Sequence, residues 1–94
     1  MIKITLTPDD VKAEAERRIL AVASLARQSN DNARANELLE VGVEKLTSEQ
    51  MAEYRALRRR RRLIDHIRAT SNRLEQDPIP LDYTADKHWT PGHD

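Results

Sequence analysis

The chain has no cysteine among its 94 residues, which removes disulfides, thiolate metal sites and thiol catalysis. Phenylalanine is also missing; one tryptophan and two tyrosines make up the whole aromatic complement. Two glycines are too few for a glycine-rich phosphate loop. No stretch approaches 18 consecutive apolar residues, so no membrane-spanning helix is expected. The opening MIKITLTPDD lacks a basic region followed by a long apolar run, so no secretory leader is expected and synthesis inside the cell follows. Net charge is zero, giving no overall bias toward nucleic acid or membrane.

What is present is charge and helical periodicity. Charged residues make up 34% and apolar residues 38%, and mean hydropathy is −0.77. At this length surface burial is modest, while ordering each residue costs roughly 1–2 kcal/mol of backbone entropy. A thin core completed by self-association or by a partner is the expectation. The charges are unevenly placed: seven basic against nine acidic over residues 1–50, eight against three over 51–76, and one against four over 77–94. An acidic tail folding back would meet a complementary basic middle.

The pattern predicts a mainly α fold in three parts: a short strand over residues 1–7, a helical body over 8–76 and an extended tail over 77–94. Ile2, Ile4 and Leu6 alternate with Lys3 and Thr5 in the period of a strand. An isolated strand is unstable, so it needs another chain, the tail or a helix to lie on. Thr7-Pro8-Asp9-Asp10 is a helix start: a hydroxyl cap, proline at the first position and acids in the first turn. The first helix is expected over residues 8–26, with Val11, Ala15, Ile19, Val22 and Ala26 on one face; Leu20, Ala23 and Leu25 widen that stripe, so this end is expected to be the more buried. The polar cluster Gln28-Ser29-Asn30-Asp31-Asn32 reads as a break, followed by a second helix over 31–45 with Ala33, Leu38, Leu39, Val41 and Val43 as its apolar side. Thr47-Ser48-Glu49-Gln50 has the form of a capping box. It opens a long third helix over 48–76, with Met51, Tyr54, Leu57, Arg61, Ile64, Ile67, Ser71 and Leu74 at steps of three and four. At 1.5 Å per residue such a helix is roughly 43 Å long, so two helices fold back on it or two copies pair along it. Asp77-Pro78-Ile79-Pro80 ends it.

Two features are candidates for binding. The run Arg58, Arg59, Arg60, Arg61 and Arg62 is a possible polyanion contact. Five consecutive helical residues spread over more than one turn, however, and no aromatic interleaves them for base stacking. Asp65 is within helical pairing range of Arg61 and Arg62. A solvated face with ion pairs is the expectation, and nucleic acid is not expected as a partner. The tail supplies Ile79, Leu81, Tyr83, His88 and Trp89, which with Ile2, Ile4 and Leu6 form the expected partner-binding set. Trp89 has two readings: a plug for the protein's own core, or an anchor for a partner, since Trp and Tyr dominate binding hot spots. His66, His88 and His93 lack metal-site spacing, and Ser24, Ser29, Ser48 and Ser71 sit in no nucleophile motif. No catalytic, cofactor or metal residue is assigned, and no enzymatic activity is expected.

Two stretches are similar to a known group. RRILAVASLARQSNDNARANELLE, residues 17–40, resembles a segment recurring in short proteins of phage and prophage tail gene clusters. LIDHIRATSNRLEQDPIPLDYTADKHW, residues 63–89, resembles their common ending, with Ile-Asp-x-Ile-Arg-x-x-Ser-Asn, a proline-rich break and Asp-Tyr-Thr-x-Asp-x-His-Trp. Together they cover about half the chain in the family's order. The resemblance implies a tail accessory or tail-fibre assembly protein acting through contacts with other tail proteins and with itself. It would reside in the host cytoplasm during assembly, and in the virion tail if retained. The chain departs from the family at Leu25-Ala26-Arg27-Gln28-Ser29-Asn30, where relatives usually carry a Trp-Lys or similar pair, and in the arginine run. No catalytic residue carries over. The alternative from the residues alone is a nucleic-acid-binding regulator using the helix around residues 58–62.

Overall fold

The computed structural model describes residues 5–76 and 78–90. The described residues are mainly helical: α1 (Pro8–Val22), α2 (Leu25–Val41), a single 3-10 turn (Val43–Lys45), α3 (Ser48–Leu74) and a short α4 (Asp86–Trp89). α1 and α2 form one interrupted arm running antiparallel to α3, α1 beside its C-terminal half and α2 beside its N-terminal half. Cross-arm pairs fix this order: Lys12 with Glu75 at 3.5 Å, Asp31 with Arg60 at 2.6 Å and Arg34 with Glu53 at 2.9 Å.

The helix starts are those the side chains specify. At α1 the Thr7 backbone N–H donates to Asp10 Oδ2 at 2.8 Å. At α3 Thr47 and Gln50 cap each other, Gln50 N–H to Thr47 Oγ1 at 3.1 Å and Thr47 N–H to Gln50 Oε1 at 3.0 Å. Gly42 closes α2 with φ 98°, a backbone region that essentially only glycine occupies at no cost. A Cβ there would meet only ordinary contact, 3.6 Å from Glu44 Oε1. Gly42→Ala is therefore expected to cost about 1–3 kcal/mol through the backbone alone, read as a lowered urea midpoint.

The break between the first two helices lies earlier than the sequence suggests. Ala23 and Ser24 are extended, with ψ of 133° and 163°. Ser24 Oγ accepts from the Arg27 N–H at 3.1 Å, and the Gln28 side chain donates to the Ala23 carbonyl at 3.0 Å. The polar cluster at residues 28–32 lies inside α2 rather than forming a loop. Tertiary partners explain this: Asp31 meets Arg60 and Asn32 meets Arg61, so residues with weak helix propensity gain contacts by staying helical.

The core gathers at the α1 end of the hairpin. Val11, Ala15, Ile67, Leu74 and Trp89 are buried together, with Ile19, Val22, Ile79 and Tyr83 packed against them. At the α2 end burial is thinner, and Leu38 is the one residue of that helix that is buried. The molecule measures 63 × 31 × 17 Å with a radius of gyration of 17.1 Å, whereas a compact domain of this length has about 12 Å.

No strand occurs among the described residues. Ile2 and Ile4 lie outside them, while Thr5, Leu6 and Thr7 have no strand partner and Leu6 is half-buried. The described part of the tail is not extended either. Residues 81–85 form turns, with Tyr83 N–H to the Pro80 carbonyl at 3.1 Å and Ala85 N–H to the Asp82 carbonyl at 2.8 Å. This folding places α4 back on the hairpin. Burying Trp89 among apolar side chains supplies a driving force that an extended tail would forgo.

Candidate functional site

Helix geometry sorts the arginine run by direction. Arg60 faces α2 and forms a two-pronged pair with Asp31, at 2.6 and 2.9 Å. The Arg60 hydrogen bonds hold the Asp31 carboxyl below its usual range despite the opposing effect of burial. Arg61 reaches Asp65, at 3.2 Å, and Asn32, at 3.4 Å; Arg62, also in sequence range of Asp65, does not pair with it, and Arg68 approaches it instead at 3.7 Å. Arg58 stacks over the Tyr54 ring, 6.0 Å from its centre. Arg59 and Arg62, together with Arg55, are exposed and have no ion pair among the described residues. The run is thus not one basic patch but two neutralised residues, one stacked residue and an exposed stripe.

Between α2 and α3 the paired arginines line a groove of about 710 Å³ with Asp31, Asn32, Arg58, Arg62 and Arg68 on its walls. It stays open because α2 contributes little apolar contact. Arg34 clamps the far end, holding both Glu53 and Glu37; its hydrogen bond to Glu53 is the main reason the Glu53 carboxyl sits below the usual range.

The second surface is the docked tail. Trp89 is 3% exposed, and its indole N–H donates to the Tyr83 carbonyl at 2.7 Å. Arg18 is the clasp. It stacks on the Trp89 ring at 5.2 Å, donates to the Thr84 carbonyl at 2.9 Å and pairs with Asp86 at 2.8 Å. From the other side Glu14, buried, holds Arg18 at 2.6 Å and also pairs with Arg17. Burial pushes the Glu14 carboxyl up, but the hydrogen bonds and charges of Arg17 and Arg18 outweigh it and leave it below the ordinary value. Arg73 donates to the His88 carbonyl at 3.3 Å. The acidic tail therefore docks chiefly on Arg18 of α1, with only Arg73 contributing from the basic middle.

Within the tail, His88 Nε2 lies 3.0 Å from Asp82 Oδ1 and Lys87 Nζ 3.0 Å from Asp82 Oδ2. The hydrogen bond from His88, then that from Lys87, lowers the Asp82 carboxyl from 3.8 to about 2. A carboxylate depressed in the folded state contributes stability above its unfolded value and loses it as pH falls through the folded one. The Asp82 contact with His88 and Lys87 that folds the tail is therefore expected to be intact above pH 4 and to weaken as pH falls toward 2. Trp89 emission should shift to the red over that window, and Asp82→Asn should remove this component of the transition.

The expected partner-binding residues are not brought into one site. Trp89 is inside the protein's own core, Ile79 and Tyr83 pack against that core, and His88 is half-buried at the Asp82 pair. Leu81, 80% exposed, faces solvent. Ile2 and Ile4 are outside the described residues. Sequence reasoning missed Glu14 and Arg18, although the signal was present: spaced three and seven residues from Val11, they fall on the apolar face of α1. Leu20 and Leu25, expected to widen the buried stripe at the end of the first helix, are instead exposed at the break between α1 and α2, Leu25 at 74%, and only Ala23 of that set is buried.

Among the described residues no group of three or more His, Asp or Glu is placed to hold a metal ion, and no helix is long and apolar enough to cross a membrane. Comparison of the chain with protein-family models, with curated proteins and with solved structures finds no match.

Proposed function

We propose that this chain is a non-catalytic structural or assembly protein that works by covering, and being covered by, other polypeptides, and that its setting is a phage tail. One observation carries the first half. A molecule 17 Å thick leaves Leu20, Leu25, Leu39, Val41, Val43, Leu63 and Leu81 exposed. Each buried apolar side chain is worth roughly 1.5–3 kcal/mol, so these positions are where a protein surface gains most by docking. The setting is supported by the resemblance of residues 17–40 and 63–89 to short tail-cluster proteins. In the structure the first stretch spans the C-terminal end of α1, the break and nearly all of α2, and the second spans the C-terminal half of α3 and the docked tail.

The test is a pull-down of the tagged chain against the products of neighbouring genes, with mass spectrometry of purified particles. Stoichiometric capture of a tail protein is expected. Presence in particles at fixed copy number identifies a retained component, and absence despite capture identifies a chaperone that departs. Capture of no tail protein by the folded chain contradicts the phage setting.

A further inference from the structure

The two long edges of the hairpin carry opposite charge. On α3, Arg55, Arg59 and Arg62 lie about 140–200° around the helix from buried Leu57, taking 100° per residue, and no acidic residue shares that outward stripe. On the other arm, Asp9 and Glu16 lie about 140–160° from buried Val11, and Glu40 about 160° from buried Leu38. Exposed Glu44 follows on the 3-10 turn. Of the basic residues near this edge, Lys12, Arg17, Arg34 and Arg68 are held by Glu75, Glu14, Glu53 and Asp65, while exposed Lys45 stands beside Glu44 on the 3-10 turn, so the four acids keep the edge negative. None of Asp9, Glu16, Glu40 and Glu44 has an ion-pair partner among the described residues.

Apolar side chains accompany both stripes. Leu20 and Leu25 sit on the acidic edge between Glu16 and Glu40, and Leu63 flanks Arg59 and Arg62 on the basic one; all three are exposed. An apolar centre with charged flanks is the composition of a protein contact. A strand of nucleic acid would find the arginines but nothing to do with Leu63, and no Phe, Tyr or Trp lies on the stripe for a base to stack on, only the half-buried His66.

We propose that the acidic edge of one copy docks on the basic edge of the next, so that the chain assembles with itself side by side. The inference rests on the protein-contact reading above and adds the partner and the symmetry. Because the two edges point in opposite directions, one copy cannot offer both to the same neighbour. The contact is heterologous, and repeated it gives a closed ring or an open filament rather than a two-fold dimer. Surface charges are screened beyond about 10 Å at 0.1 M salt, so assembly weakens as salt rises.

The experiment is light scattering of the full chain across concentration and salt, with two surface variants: Arg55→Gln/Arg59→Gln/Arg62→Gln and Glu16→Gln/Glu40→Gln/Glu44→Gln. Far-UV circular dichroism verifies that each keeps the fold. The wild type should form species of three or more copies at low salt. Each variant alone should be monomeric, and their equimolar mixture should stop at two copies, because each supplies the one intact edge that the other lacks. A wild type that stays monomeric at low salt overturns the proposal, as does either variant assembling like the wild type, or a mixture growing past two. Salt-dependent DNA binding lost in the arginine variant, beside a monomeric wild type, would assign the stripe to nucleic acid instead. A wild type that assembles as stated yet captures no tail protein leaves this contact standing and removes only the phage setting.

Discussion

Trp89→Ala is expected to lower stability by about 3–5 kcal/mol, the range for emptying a large aromatic site. The ring fills the space between Val11, Ala15, Ile67 and Leu74, and its loss also frees Arg18 from a stacking partner and the Tyr83 carbonyl from its donor. A domain of this length has a total stability of about 5–14 kcal/mol, so the variant keeps little margin. Trp89→Phe separates the contributions: it retains most of the apolar volume and drops the indole N–H, at about 1 kcal/mol for the hydrogen bond. Urea titrations followed by circular dichroism measure both. Equal midpoints for wild type and Trp89→Ala would mean that the tail is not part of the core.

Leu38→Ala is the second large effect, about 2–5 kcal/mol, and it should act locally. Leu38 is 1% exposed and is the buried residue of α2; other links from α2 to α3 are polar, the ion pairs of Asp31 with Arg60 and Arg34 with Glu53 and the hydrogen bond from Arg61 to Asn32. The exposed Arg34–Glu53 pair contributes little, typically below about 1 kcal/mol, which leaves the part-buried Asp31–Arg60 pair as the main polar tie. Without Leu38, α2 is expected to fray from α3 while the α1, α3 and α4 core persists. Circular dichroism should record the loss of up to 17 helical residues with Trp89 emission unchanged. Simultaneous loss of both signals would show that the hairpin melts as one unit.

Much of the helical framework was legible because its signals are local. The caps at Thr7 and Thr47 need only three following residues, and the stripe Leu57, Ile64, Ile67, Ser71 and Leu74 is the buried face of α3. The break after α1 was illegible for a tertiary reason: Asp31 and Asn32 look like loop residues until Arg60 and Arg61 are opposite them. Ser24, the actual cap, is a single polar residue in an apolar surround and gives a weak signal. The tail was half legible. Its aromatics announced docking, but short range could not say that Trp89 would choose its own core, because the clasp is Arg18, 71 positions earlier in the chain. The apolar side of α2 was misjudged at Leu39, Val41 and Val43, all exposed. Periodicity marks a face as apolar; it does not provide a neighbour to cover it.

The unequal burial of the two ends has a direct readout in backbone hydrogen exchange of the wild-type chain, dilute and concentrated. Residues 25–41 should exchange much faster than the α1 core in dilute solution and gain protection as copies or partners cover them. Equal, concentration-independent protection of residues 25–41 and residues 8–22 would mean that this chain already hides its apolar surface alone.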